Sequence, residues 1–272
     1  LLFAGALHVD LETLIESKIR VGTLATIGVI LSTIINGSGF YFLCHLFGIQ
    51  IDYLLCLIFG AVVSPTDPVA VLALLKRVKI PKKLEATVAG ESLFNDGVAV
   101  VVYSILVTLA FGASIGGGGH ALGASAVVGL FIREAFGGAL LGIVCGYFAF
   151  LLMRRMDDYV IEVITTIALV TGAYTIALHL HISGPIAMVV AGVFIGNTGR
   201  RLAMSEETRS HVTQFWHLVD EILNAALFVL IGFQIIMLSY QISILVISVL
   251  CVPLAVGARW LAVFTPLQVL SR

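Results

Sequence analysis

Four polar side chains fall on one face of an otherwise apolar stretch. Within ESLFND, Glu91 and Asn95 are four residues apart, as are Ser92 and Asp96. Residues four apart lie one above the other on an α-helix, so the four side chains share a face. Carboxylate, hydroxyl and amide oxygens are hard ligands that suit sodium or lithium better than transition metals. The spacing therefore predicts a face that meets a cation from one side.

A second polar motif, SPTDP from Ser64 to Pro68, interrupts the preceding apolar run. Pro65 and Pro68 lack amide hydrogens, and the residue before each proline is pushed toward an extended conformation. Asp67 followed by Pro68 is a favourable helix start, with a capping carboxylate and proline at the first position. We predict two half-helices that meet near the middle of a membrane, with the break facing the ESLFND motif. Broken backbone at that depth commonly marks a transporter's ion site.

The composition is typical of a membrane protein. Hydrophobic residues make up 60% of the chain and charged residues 11%, whereas about 25% of the residues in soluble domains are charged. A charge near the bilayer centre costs at least about 2.5–3.5 kcal/mol, so carboxylates there indicate function. The formal net charge of -1 does not indicate a nucleic-acid partner. The chain contains no phosphate-binding glycine loop, nucleophile elbow or zinc-ligand pattern, so we expect neither an enzyme nor a bound cofactor.

Apolar runs divide the chain into membrane segments. Runs long enough to cross about 30 Å of hydrocarbon lie at 21–47, 52–76, 84–111, 124–153, 158–180, 214–238 and 242–264. Together with a shorter run at 183–197 and a partial helix at the start, they predict about nine membrane segments. The mixed polar and apolar stretch from Ser205 to Trp216 is interpreted as a helix on the cytoplasmic surface.

The basic residues test this division. Of the 15 Lys and Arg residues, all except Arg133 and Arg259 fall in loops or ends that the predicted spans place on one side. Basic loops stay in the cytoplasm, so this side is predicted to be cytoplasmic. Arg133 precedes Glu134, which predicts a local pair or a helix-packing contact. Arg259 lies deep in an apolar run and needs a buried anionic partner.

The two motifs, extended to SPTDPVAV and ESLFNDGVAVVV, resemble the monovalent cation:proton antiporter-1 family. This family includes the NhaP-type bacterial sodium/proton antiporters and the sodium/hydrogen exchangers. LLFAGALHVDL at the start and SGPIAMVVAGVFIGN fit the family as well. The resemblance therefore runs along essentially the whole chain.

This resemblance implies an all-α polytopic membrane protein with an NhaA-like inverted-repeat antiporter fold and a discontinuous helix. Residues 1–272 would form a single transmembrane sodium/hydrogen exchanger domain. It would comprise core ion-site helices at 52–111, a linker helix at 124–153 and a partial second repeat at 158–272. Because the chain begins and ends within apolar stretches, we expect a fragment truncated at both ends that lacks a second broken helix. Such a fragment is expected to be inactive alone.

The resemblance also implies roles for the motif residues. Asp96 would hold sodium and a proton in alternation. Ser92, Asp67 and a backbone oxygen near Thr66 would complete the shell of the sodium ion. Asn95 matches the Asn-Asp form of the motif, which is associated with electroneutral exchange.

One ion pair and one departure complete what the resemblance implies. Glu91 would pair with the deep Arg259 as a structural ion pair in the core. Ala4 departs from the family pattern, because relatives often have an acidic residue in the corresponding stretch. An extra ligand from that position is therefore absent.

The implied function is secondary active antiport of a monovalent cation against protons, for pH and sodium homeostasis. The transported cation is expected to be sodium, with lithium and potassium as the alternatives. The expected partners are the cation, the proton, the lipid bilayer and a second copy in a homodimer. The expected location is the plasma membrane, which in a bacterium is the inner membrane. A gated cation channel and a proton-coupled solute carrier stay open as alternatives. The broken helix and the buried charges argue against a membrane scaffold.

Overall fold

A computed structural model of the chain describes residues 1–66, 82–115, 124–155, 158–199, 204–237 and 241–270, whose regular elements are all helical. The α-helices are α1 (Leu2–Ala6), α2 (Leu11–Glu16), α3 (Lys18–Thr23), α4 (Val29–Leu46), α5 (Tyr53–Val63), α6 (Lys82–Ile115), α7 (Ala124–Met153), α8 (Tyr159–Leu180), α9 (Gly184–Phe194), α10 (Glu206–Met237) and α11 (Ile242–Leu270). Two short π-helical segments, Leu24–Gly28 and Ile195–Gly199, join α3 to α4 and extend α9.

Six helical stretches among the described residues are long and apolar enough to cross a membrane. They are Lys18–Leu46, Val88–Phe111, Ser125–Met153, Tyr159–Leu180, Thr208–Met237 and Ile242–Gln268. Two shorter apolar helices cover Tyr53–Val63 and Gly184–Gly199. The chain is thus an α-helical, multi-pass membrane protein. The total of about nine segments stays a prediction.

Helix α5 ends partway through the predicted 52–76 span. The Asp52 side chain caps its start by accepting a hydrogen bond of 2.7 Å from the Leu54 amide. Helix α5 has 11 residues, a length of about 16 Å, or roughly half of the hydrocarbon thickness. Ser64 and Pro65 follow its end directly. Ser64 keeps helical dihedral angles (φ -64°, ψ -44°), so the predicted shift of this residue toward an extended conformation is wrong. The helix ends here because Pro65 has no amide hydrogen to continue the backbone hydrogen bonds. The predicted second half-helix, with Asp67 and Pro68, lies outside the described residues.

The described residues group into two compact units. Unit 1 takes Leu1–Glu12 and Phe136–Ser239, and unit 2 takes Thr13–Ala135 and Tyr240–Arg272. Unit 2 contains the described parts of both polar motifs. Helix α7 contributes residues to both units.

The core of unit 1 corrects one prediction. Helix α10 runs without interruption from Glu206 to Met237, so the separate surface helix predicted from Ser205 to Trp216 is wrong. The apolar residues of that stretch belong to the core instead, since Val212 is 3% exposed and Trp216 is 5% exposed. The Trp216 indole N–H also donates a hydrogen bond of 2.9 Å to Thr166 on α8.

Asn197, in the second π-helical segment, fixes the start of the chain within unit 1. Its side-chain oxygen accepts a hydrogen bond of 2.9 Å from the Leu11 amide. Its amide group donates to the carbonyls of Val9 and Val193, each at 2.8 Å. One side chain therefore satisfies backbone groups in both the loop before α2 and the end of α9.

Helices α4 and α5 pack against each other within unit 2 with their backbones in contact. A Cβ atom added at Gly60 would lie 2.3 Å from the Thr33 carbonyl oxygen, and one added at Gly37 would lie 2.8 Å from Leu57 Cα. Only glycine permits such an approach, as is common where membrane helices cross closely. The pairing of higher positions on α4 with lower positions on α5 makes the two helices antiparallel.

Candidate ion site

Helix α6 carries the four polar residues of ESLFND, two of them buried within unit 2. Asn95 is fully buried and Ser92 is 5% exposed. Glu91 and Asp96 are half-buried. Val98 and Ala99, on the next turn, are also buried and pack with Val29 in a small apolar core. The polar face therefore lies inside protein and is not spread over an outer surface.

The end of α5 meets this face through Ser92. The Ser92 hydroxyl donates a hydrogen bond of 2.7 Å to the backbone carbonyl of Thr66. Thr66 is half-buried and is the last described residue of the broken segment. The structure thus brings together Ser92 and the Thr66 backbone oxygen, whereas Asp67 and Pro68 fall outside the described residues. Pro65, one residue earlier, lies at the end of the helical stretch.

Glu91 is held by donors from two helices. Arg259 on α11 donates to Glu91 Oε1, and the Asn95 side-chain amide donates to the same oxygen at 3.1 Å. The side chains of Arg259 and Glu91 are only 17% and 12% exposed. A guanidinium and a carboxylate in contact neutralise each other, which reduces the cost of placing either one in an apolar setting. Asp96 is the second carboxylate of this polar face.

The amide of Asn95 has one further property. Its oxygen is buried and has no hydrogen-bond partner among the described residues. A buried amide oxygen normally finds a donor, a water or a cation. Asn95 therefore connects the Glu91–Arg259 pair on one side with a free acceptor on the other.

Several buried polar residues were missed by the sequence reasoning. Ser64, 1% exposed, donates from its hydroxyl to the Val29 carbonyl at 3.0 Å. Glu162 of unit 1 is fully buried on α8. The signal for Glu162 was present in the sequence, because a carboxylate inside an apolar run is a candidate functional residue by default. Ser64 belongs to the SPTDP motif, but nothing in the sequence indicates the role of its hydroxyl, since the acceptor is a backbone atom on another helix.

Glu134 has a partner beyond its neighbour Arg133. The Ser104 hydroxyl on α6 donates to Glu134 Oε1 at 3.3 Å. Helix α7 is therefore linked to the ion-site helix within unit 2. The sequence predicted either a local Arg133–Glu134 pair or a helix-packing contact, and the bond from Ser104 is a contact of the second kind.

The described residues hold no group of three or more His, Cys, Asp or Glu side chains that could bind a metal ion. What the site offers instead is a set of mixed oxygens: carboxylates, a hydroxyl, an amide and the carbonyl at a helix break. Such a set can dehydrate and hold a monovalent cation. One of its carboxylates can equally hold a proton.

Comparison with known proteins agrees with this chemistry. The model of the family described as "Sodium/hydrogen exchanger, transmembrane" matches residues 1–270. The Na(+)/H(+) antiporter NhaP of Pseudomonas aeruginosa is 52% identical over 241 residues, which cover 89% of this chain and 55% of that protein. The Na(+)/H(+) antiporter NhaH of Halobacillus dabanensis is 38% identical, over 86% of this chain and 56% of that protein.

A solved structure shares the fold. The sodium proton antiporter MjNhaP1 from Methanocaldococcus jannaschii, at pH 8, superimposes with a TM-score of 0.78 at 22% sequence identity. The match covers 98% of this chain and 63% of that one.

An all-helical multi-pass fold with a polar helix face opposite the end of a short helix is typical of membrane ion transporters. The chain belongs to the sodium/hydrogen exchanger family. It spans about half the length of the relatives named above, 55% and 56% respectively.

Proposed function

We propose that the full-length protein exchanges sodium for protons across a membrane by secondary active antiport. The observation that carries this proposal is the hydrogen bond of 2.7 Å from Ser92 to the Thr66 carbonyl. It joins a helix face bearing two carboxylates to a backbone break, and that combination typically forms the cation site of a transporter. The names of the relatives, which are antiporters for the same two ions, support the choice of substrates.

In the proposed site, Asp96 holds either a sodium ion or a proton. Ser92, the Thr66 backbone oxygen and Asp67 complete the sodium shell, and Asn95 borders it. Both ions use one carboxylate, so binding one excludes the other. If only the occupied site changes sides, sodium and proton flow are coupled without ATP.

The ion pair of Glu91 and Arg259 is proposed to be structural. It neutralises one carboxylate of the face and ties α11 to α6, and Asp96 is assigned as the exchanging group. The Asn-Asp form of the motif supports exchange of one sodium for one proton, with no net charge moved.

The wider architecture is part of the proposal. It comprises about nine membrane segments in an NhaA-like inverted-repeat fold, with core ion-site helices at 52–111 and a partial second repeat at 158–272. Residues 124–153 serve as a linker helix, which is supported by the contribution of α7 to both units. We place the homodimeric protein in the plasma membrane with its basic loops in the cytoplasm.

Asp96→Asn tests the function directly. In proteoliposomes with the full-length protein and a trapped pH dye, we expect sodium pulses to drive proton movement in the wild type. The Asn variant should show none, because an amide neither releases a proton nor neutralises a cation. Asp158→Asn makes the same chemical change at the exposed cap of α8, where Asn caps equally well, and should exchange normally.

The outcomes separate the rival functions. Sodium-dependent proton flux retained in Asp96→Asn would contradict the proposed site. A sodium current without proton counterflow in the wild type would indicate a channel. Proton movement driven by an organic solute and not by sodium would indicate a solute carrier.

A further inference from the structure

We propose that Ser64 is a positioning residue that sets the location of the helix break, and with it the affinity and selectivity of the cation site. The inference rests on the proposed function, since it assigns a residue outside the cation shell to the tuning of that shell. Its structural basis is the series of contacts between α4 and α5 within unit 2.

Contacts between α4 and α5 recur at regular intervals along the two helices. Gly37 lies against Leu57 and Thr33 against Gly60, with a hypothetical Cβ atom at either glycine closer than 3 Å to the opposing backbone. One helical turn beyond these contacts, the next pair is Val29 and Ser64. There the contact is a hydrogen bond of 3.0 Å from the Ser64 hydroxyl to the Val29 carbonyl. The last contact of the series therefore falls on the residue directly before Pro65.

A second hydroxyl holds the far side of Pro65. Ser92 donates to the Thr66 carbonyl at 2.7 Å. Two hydrogen bonds to different helices thus flank Pro65. One holds Ser64 against α4, and the other holds Thr66 against α6. Because only Pro65 separates Ser64 from Thr66, a shift of Ser64 along α4 would move the Thr66 carbonyl relative to Ser92 and Asp96.

The acceptor of Ser64 is unusual in one respect. Thr33 lies four residues after Val29 on α4, where a threonine hydroxyl ordinarily bonds to that same carbonyl. The Thr33 hydroxyl is instead buried without a hydrogen-bond partner among the described residues. Ser64 therefore uses the acceptor that Thr33 would use in an isolated helix. When Ser64 is truncated, Thr33 can satisfy the Val29 carbonyl without restoring the link between the helices.

This arrangement predicts a specific defect. Loss of the Ser64 hydroxyl should leave α4 satisfied and the protein folded, while the break loses its fixed position. Sodium binding must then order the Thr66 carbonyl, and that ordering reduces affinity. Lithium is smaller than sodium and needs closer ligands. A Thr66 carbonyl that is free to move inward can approach lithium, so the variant should lose less affinity for lithium than for sodium.

The test measures sodium- and lithium-driven proton movement in proteoliposomes with the full-length protein. We expect Ser64→Ala to raise the apparent KM for sodium between roughly twofold and tenfold, the equivalent of one hydrogen bond. The effect on the maximal rate should be smaller, and the preference should shift toward lithium. In Ser64→Cys the side chain has a similar size but is a weak donor, so the KM for sodium and the ion preference should change in the same direction. This variant tests the proposal if Ser64→Ala fails to fold.

Ser38→Ala is the matched control. Ser38 on α4 shares a hydrogen bond of 2.9 Å with the Tyr53 hydroxyl, so it links the same two helices at the start of α5, away from the site. Its loss should leave both KM values unchanged. The proposal is overturned if the folded Ser64 variants keep wild-type KM values and ion preference, or if Ser38→Ala raises KM equally. A wild-type protein without sodium-driven proton movement would instead refute the proposed function.

Discussion

Glu91 and Arg259 show how two charges are accommodated among apolar helices. Their side chains are mostly buried, and the Asn95 amide donates to the same carboxylate oxygen as Arg259. Replacing one partner of such a pair leaves the other as an uncompensated buried charge. Replacing both with neutral polar side chains leaves no buried charge. The pair is therefore expected to determine the stability of unit 2 more than the chemistry of exchange.

A double-mutant cycle tests this role. Arg259→Gln alone should lower stability by about 3–5 kcal/mol, because Glu91 stays charged and largely buried. The double variant Glu91→Gln with Arg259→Gln should be more stable than Arg259→Gln. Thermal unfolding of the full-length protein in detergent measures the difference. Additive losses in the double variant would show that the two side chains do not act as a pair.

Whether a contact between two residues could be predicted from the sequence depends on the groups that form it. The depth of Arg259 in an apolar run indicates that it needs an anion, and the structure places Glu91 there. Ser64 gives no comparable signal. Its acceptor is the backbone of Val29, 35 residues away, and any residue type presents a carbonyl. The cation shell, including Asp67, stays a prediction.

At the scale of elements, α4 and α5 cross closely beside the end of α5. Gly60 allows the Thr33 carbonyl to approach to a distance that no side chain permits. The crossing stabilises the end of α5 next to Pro65 through backbone contact and the Ser64 hydrogen bond. A side chain at Gly60 would therefore separate the helices at the position nearest the site.

Gly60→Ala should destabilise the protein by about 1–3 kcal/mol through overpacking, seen as a lower unfolding temperature in detergent. Gly22→Ala on α3 provides the control, since no described atom lies within 4 Å of its added Cβ. Alanine is favoured over glycine within a helix by about 1 kcal/mol, so this variant should be at least as stable as the wild type. Equal destabilisation by both substitutions would contradict the close crossing.

Most long helices could be predicted from hydrophobic runs, because length and hydropathy suffice to recognise a membrane span. The end of α5 followed from the missing amide hydrogen of Pro65, although Ser64 itself keeps helical dihedral angles. Two features could not be read in this way. The π-helical segment Leu24–Gly28 leaves the apolar pattern unchanged, and the polar start of α10 conceals that Trp216 packs in the core of unit 1.

At the scale of the whole molecule, the described residues include six long apolar helices, and residues 1–270 match the sodium/hydrogen exchanger family, so the chain is a multi-pass membrane protein of that family. Broken backbone and buried carboxylates are costly and rarely serve packing alone, so the two motifs indicate a functional site. The family follows from the resemblance of the motifs and from the family match. In the proposed mechanism, coupling depends on how the complete protein moves between two states. Neither hydrophobic periodicity nor motif spacing determines such a motion.

The central claim is that sodium and the proton compete for one carboxylate. The most direct measurement is the initial rate of exchange in proteoliposomes with the full-length protein. Sodium and pH are varied on the side to which sodium is added, and the opposite side is held constant. The account predicts that acidification raises the apparent KM for sodium while saturating sodium restores the same maximal rate. A maximal rate that falls with acidification at an unchanged KM would contradict it.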